Sequence, residues 1–69
     1  MGNINKSVIA KYVNRNLVGY VKSVSYVNGK HTITKDRNNA KGYTSPEKMF
    51  YDMDFLTKTD KLGSVFVEG

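Results

Sequence analysis

The run Thr44-Ser45-Pro46-Glu47 constrains this chain more than any other stretch, because it writes a helix start directly before an apolar-periodic segment. With Ser45 as N-cap, Pro46 falls at the first helical position, where its missing N–H costs nothing; with Thr44 as N-cap, Glu47 closes a capping box instead. Either way a helix begins here. Met49, Phe50, Met53 and Leu56 then make the stripe at i, i+1, i+4 and i+7 that must lie on the rest of the fold, with Glu47 early and Lys58 late to suit the helix dipole. Tyr51 and Phe55 point elsewhere, and Leu62-Gly63 ends the helical region.

Ahead of the helix the residue types favour strands. Ser7 to Val13 is β-branched and aromatic, although Val8, Ile9, Tyr12 and Val13 also satisfy helical spacing. Asn14-Arg15-Asn16 reads as a turn, since asparagine tolerates left-handed backbone angles. Leu17 to Val27, then Asn28-Gly29, then Lys30 to Lys35 reads as a hairpin on a two-residue type I′ turn. That register pairs Val27 with Lys30, Tyr26 with His31, Val24 with Ile33 and Lys22 with Lys35. It puts Val18, Tyr20, Val24, Tyr26 and Ile33 on the core face and Ser23, Ser25, Thr32 and Thr34 on the wet one. Lys22 opposite Lys35 on the apolar face is a local conflict that predicts a bend or the end of pairing, and Gly19 suits a twist or bulge nearby. Ser64 to Glu68 reads as a last short strand.

These elements predict one α+β domain over residues 1–69: a small antiparallel sheet in the order β-β-β-α-β, with one helix packed on one face. Sixty-nine residues bury only about 60% of the unfolded surface, which leaves little room for a deep pocket. There is no cysteine, which removes disulfides, zinc-thiolate sites and thiol catalysis and fits a reducing compartment, the cytoplasm by default. No apolar run approaches the roughly 18 residues a membrane span needs, and Lys6 stands where a myristoylation signal following Gly2 wants Ser or Thr. A soluble chain without a membrane role is expected.

Charge is unevenly placed. Up to Tyr43, eight cations face Asp36 alone, a balance of +7; from Thr44 on, Lys48, Lys58 and Lys61 face five carboxylates, a balance of −2, within a net charge of +5. A localised basic half is what an anionic partner feels within a Debye length of about 8 Å.

Chemistry-bearing constellations are sparse. His31 is the only histidine, and the expected register sets it beside Tyr26 with no carboxylate to orient it. Asp52 and Asp54 are two apart on the helix, point to different sides and read as solvated, so neither a carboxylate pair nor a metal site is expected. Asp36-Arg37-Asn38-Asn39 lacks the later ligands of a calcium loop and reads as a turn. No catalytic residue and no cofactor is assigned. Two surfaces remain. Lys22, Lys30, Lys35, Arg37 and Lys41, interleaved with Tyr20, Tyr26 and Tyr43, could neutralise phosphates and stack on bases, against the plainer reading of solubilising charge and core tyrosines. Tyr51 and Phe55, at i and i+4 opposite the stripe, would suit a protein partner or a self-association face unless another part of the chain covers them.

The runs Thr32-Ile33-Thr34-Lys35-Asp36 and Ala40-Lys41-Gly42-Tyr43-Thr44-Ser45-Pro46-Glu47-Lys48, with Tyr12-Val13 and Phe66-Val67-Glu68 at the ends, resemble short uncharacterised reading frames of phages and prophages of Gram-positive bacteria. The resemblance covers most of the chain and consists mainly of structural punctuation. The chain departs from the pattern at Met49, where a small residue is usual, and lacks a tryptophan often found before the loop. It implies a mobile-element accessory protein in a bacterial cytoplasm and carries over no functional residue. The expected function is non-enzymatic: modulation of a bacterial host protein by occupying a surface through the helix aromatics Tyr51 and Phe55 or the basic hairpin, with homodimerisation open. The alternative is a nucleic-acid-binding module using the basic hairpin and loop.

Overall fold

The computed structural model describes residues 7–60 and 62–69; the readings of Gly2, Lys6 and Lys61 fall outside them. Ser45 is the N-cap, its hydroxyl accepting from the Lys48 N–H at 3.4 Å, and Pro46 opens the helix. Helix α1 runs Pro46–Thr59 and stops at Asp60, short of the expected Leu62-Gly63. The strands are β1 (Ile9–Val13), β2 (Asn16–Ser25), β3 (Lys30–Thr34) and β4 (Val65–Glu68), and they form one antiparallel sheet in the order β3-β2-β1-β4. The β-β-β-α-β arrangement is the expected one, and β4 takes its place beside β1.

Two turns exchange the roles expected of them. Asn14 and Arg15 both adopt positive φ, 54° and 69°, and make the two-residue turn between β1 and β2. At the β2–β3 tip, Gly29 alone is left-handed at φ 71°, and its N–H donates to the Ser25 carbonyl at 3.0 Å across a four-residue loop, Tyr26 to Gly29. The hairpin register is corrected accordingly: Ser25 pairs with Lys30, Val24 with His31 and Ser23 with Thr32.

The predicted conflict at Lys22 is resolved by a bulge, after which Val21 pairs with Ile33 and Tyr20 with Thr34, while Lys35 lies beyond the strand. A bulge shifts side-chain parity. Val21, not Val18 or Tyr20, therefore enters the core, and Tyr26 and Ile33 are exposed where core positions were expected. A second irregularity falls between Lys11 and Tyr12, opposite Val18. Gly19 is needed beside it: a Cβ there would stand 2.9 Å from the Thr34 carbonyl oxygen.

The core joins Ile9, Val21 and Phe66 of the sheet to Tyr43, Met49 and Leu56, with Val24, Met53 and Phe55 packed around them. The helix stripe is thus 49, 52, 53 and 56 instead of the expected one. Phe50 is 57% exposed, and Asp52 takes its place inside. Between β3 and α1 a short 3-10 turn, Arg37–Asn39, is capped by the Asp36 carboxylate, which accepts from the Asn38 N–H at 2.9 Å. The chain then ties to two strands at once: Lys41 N–H donates to the Val21 carbonyl and Tyr43 N–H to the Ser7 carbonyl. The pairing of β1 with β2 ends at Tyr20, so this segment bridges the strands where they part.

Candidate functional site

Asp52 was expected in solvent and is fully buried, because the helix stripe carries it beneath the hairpin tip. A buried carboxylate is tolerable only with its oxygens satisfied. The Tyr26 hydroxyl donates to Oδ1, the Tyr43 hydroxyl donates to Oδ2, and Lys41 Nζ lies 3.4 Å from Oδ2. Each donor comes from a different place: the hairpin loop, the residue bridged to Ser7, and the segment before it. The carboxylate fastens all three to α1.

Burial pushes the Asp52 carboxyl upward, but the two phenol hydrogen bonds and the Lys41 charge outweigh it and hold the group below the usual carboxylate range. Tyr26 is pushed up to about 12, by burial first and then by its bond to Asp52; Tyr43 is raised by the same causes. At neutral pH the cluster is a carboxylate held by two neutral phenols and an ammonium. Both carboxylate oxygens are taken up by these donors, so the cluster ties the hairpin tip and the Lys41–Tyr43 segment to the helix.

What it builds outward is a surface. With its hydroxyl anchored, Tyr26 lies edge-on to Phe55 at 5.1 Å between centroids and tilted against Tyr51 at 6.1 Å. Lys48 Nζ stands 5.1 Å from the Tyr26 centroid and 5.6 Å from that of Tyr51, and Lys41 Nζ lies 5.2 Å from the Tyr43 ring. Tyr51 remains 60% exposed and Tyr26 41%, whereas Phe55 is half-buried against the core. The Tyr51/Phe55 pair is thus extended by a third ring, and one of its own members is partly covered.

Two of the five cations of the alternative reading are engaged within the chain. Lys41 is committed to Asp52, and Arg37 donates to the Gly69 carbonyl at 3.2 Å. Lys22 lies at the bulge, Lys30 at the start of β3 and Lys35 just past its end; all three are exposed and form no ion pair among the described residues.

His31 is not beside Tyr26. It pairs with Val24, meets Phe66 edge-on at 5.5 Å, and accepts at Nε2 from Lys11 Nζ at 3.1 Å. That bond places its own proton on Nδ1, and burial followed by the Lys11 charge lowers its pKa, so the ring is neutral at pH 7. Asp60 lies near enough to act on it, and is itself held low chiefly by Ser64.

Asp52 was missed because a charge in a helix reads as solvent-facing. The signal lay in its position, three after Met49 and four before Leu56. A cleft of about 320 Å³ beside Phe50, Pro46 and Glu68 is a further concavity at the helix start. Among the described residues no helix is long and apolar enough to cross a membrane. No protein-family model, curated protein or solved structure matches this chain.

Proposed function

We propose that this chain is a non-enzymatic binding protein of the phage-accessory kind, which modulates a bacterial host protein by occupying part of its surface. The host setting rests on the resemblance of the sequence to short phage reading frames. The mode rests on one observation: Tyr51 stands exposed on a plate with Tyr26 and Phe55, and the plate is held rigid from beneath by Asp52. Rigid, partly exposed tyrosines are among the side chains that dominate binding energy at protein interfaces, since they give up little conformational freedom on contact.

The test is capture from a Gram-positive bacterial lysate on immobilised chain, with and without nuclease. A protein retained by the wild type under both conditions and lost with Tyr51→Ala supports the reading. Tyr51 is chosen because its exposure lets the fold survive the change. Retention unaffected by Tyr51→Ala removes the plate from the mechanism.

The nucleic-acid reading keeps one specific support, the three exposed lysines along the β3 side. If they contact phosphates, log affinity for duplex DNA falls with log salt at a slope of about −3, and Lys30→Ala/Lys35→Ala flattens that slope by about 2. Retention that does not change with salt discards it.

A further inference from the structure

We propose that two copies of this chain pair along β4, joining their sheets edge to edge. β4 bonds to β1 on one side, and among the described residues no strand or helix pairs with its other side. The Gly69 N–H donates to the Val8 carbonyl, so by the alternation of an antiparallel ladder Val65 and Val67 turn their main-chain groups toward β1. Phe66 and Glu68 therefore turn theirs outward, an open set of donors and acceptors.

The side chains at this edge are those of an interface. Phe66, Ile9 and Val21 face the helix, so the alternate residues lie on the other face of the sheet. There the register lines up two apolar rows across three strands, Val65–Tyr12–Leu17 and Val67–Ala10–Tyr20. Val65 is 55% exposed and Val67 38%. Of the usual guards of a free edge, β4 lacks proline, lysine and a bulge; its one charge is Glu68 at its end.

A second copy fits this edge by charge: Glu68 is the only charge on β4, Lys11 lies over the neighbouring Phe66 ring, and the basic hairpin forms the opposite edge of the sheet. Pairing through β4 keeps the two basic hairpins as far apart as the sheets allow. An antiparallel pair centred on Val67 sets Val67 against its own copy and extends the second apolar row. It also brings Glu68 of the second copy beside Phe66, over whose ring Lys11 Nζ lies at 5.8 Å. This pairing is independent of the Tyr51 surface, which is on the helix side.

Sedimentation equilibrium from about 10 µM to about 1 mM, the range where small interfaces associate, reads the result. The expected mass climbs from 7.8 kDa toward twice that value. Val67→Lys should weaken association at least about tenfold with an unchanged circular dichroism spectrum. Val27→Lys, at the exposed hairpin tip, should associate as the wild type does. In the wild type, amide exchange at Phe66 and Glu68 should slow as concentration rises, a readout that holds even if the variant misfolds. A mass fixed at 7.8 kDa throughout overturns the proposal. So does association that persists in Val67→Lys, or exchange at those amides that ignores concentration.

Discussion

The two wings of the sheet are fastened to the helix by different physics. On the β1–β4 side, Ile9 and Phe66 meet Met49 and Leu56 in an apolar seam whose strength is area removed from water. On the β2–β3 side the hairpin tip reaches the helix through Tyr26 and a single buried carboxylate that also secures Tyr43 and Lys41. Apolar burial is indifferent to pH and to small displacements. A charged hydrogen-bond cluster is directional and fails when one proton arrives. The same contrast sets what each wing shows to solvent: the clamped wing presents braced aromatic rings, and the seamed wing an open apolar edge.

The comparison is tested hardest by Phe66→Ala. It should cost about 4 kcal/mol in urea unfolding, by the same amount at pH 7 and pH 9, where the His31 ring against it stays neutral, against a total of about 3 to 10 kcal/mol for a chain of this size. A cost that depended on pH would blur the two wings.

Asp52→Ala comes next, at about 3 kcal/mol at pH 7, with amides of Ser23 to Thr32 losing exchange protection before those of β1. The folded protein holds the Asp52 carboxyl below its unfolded value of about 3.9, so its contribution is complete above that pH and is lost as pH falls through the folded value. Acid should therefore narrow the gap between wild type and Asp52→Ala. A gap that stays constant down to pH 2 would show that the carboxylate is not the clamp.

Tyr26→Phe should cost about 1 kcal/mol, confined to the hairpin wing. Because Tyr26 is raised to about 12, the wild-type advantage is full below the unfolded value of about 10 and lost as pH rises from there toward 12. The smallest effect lies in the turn joining β1 to β2. Arg15→Gly should stabilise by about 0.5 kcal/mol, since glycine accepts the left-handed angle that Arg15 holds at φ 69°. A loss there would mean that the Arg15 side chain makes a contact worth more than the strain.

The seamed wing was largely legible in the sequence and the clamped wing was not. Ser45 and Pro46 announce the helix through local chemistry, and Val65 to Val67 read as a strand from residue type alone. The bulge at Lys22 was also foreseeable, because two lysines cannot share an apolar ladder position. The hairpin tip was misread because Asn-Gly signals a left-handed pair, whereas only Gly29 uses that freedom; Arg15, which does adopt the left-handed angle, has no such signature. Asp52 is the deepest omission. Its partners, Tyr26, Lys41 and Tyr43, lie up to 26 residues away, and their convergence depends on the hairpin folding down over the helix. With the clamp hidden from the sequence, Tyr51 and Phe55 read as an isolated pair, whereas they are two sides of a three-ring plate.

The bridge from Lys41 to Tyr43 has a consequence for how this chain can vary. Its main-chain anchors are Val21 of β2 and Ser7 ahead of β1, and the Tyr43 phenol must still arrive at a fixed oxygen. The count of residues between Thr34 and Lys41 is thereby locked, and with it Asp36, which caps the turn, and the buried Ala40. Deleting one of Arg37 to Asn39 should be more damaging than replacing all three, so drift in this stretch should alter its letters and preserve its length.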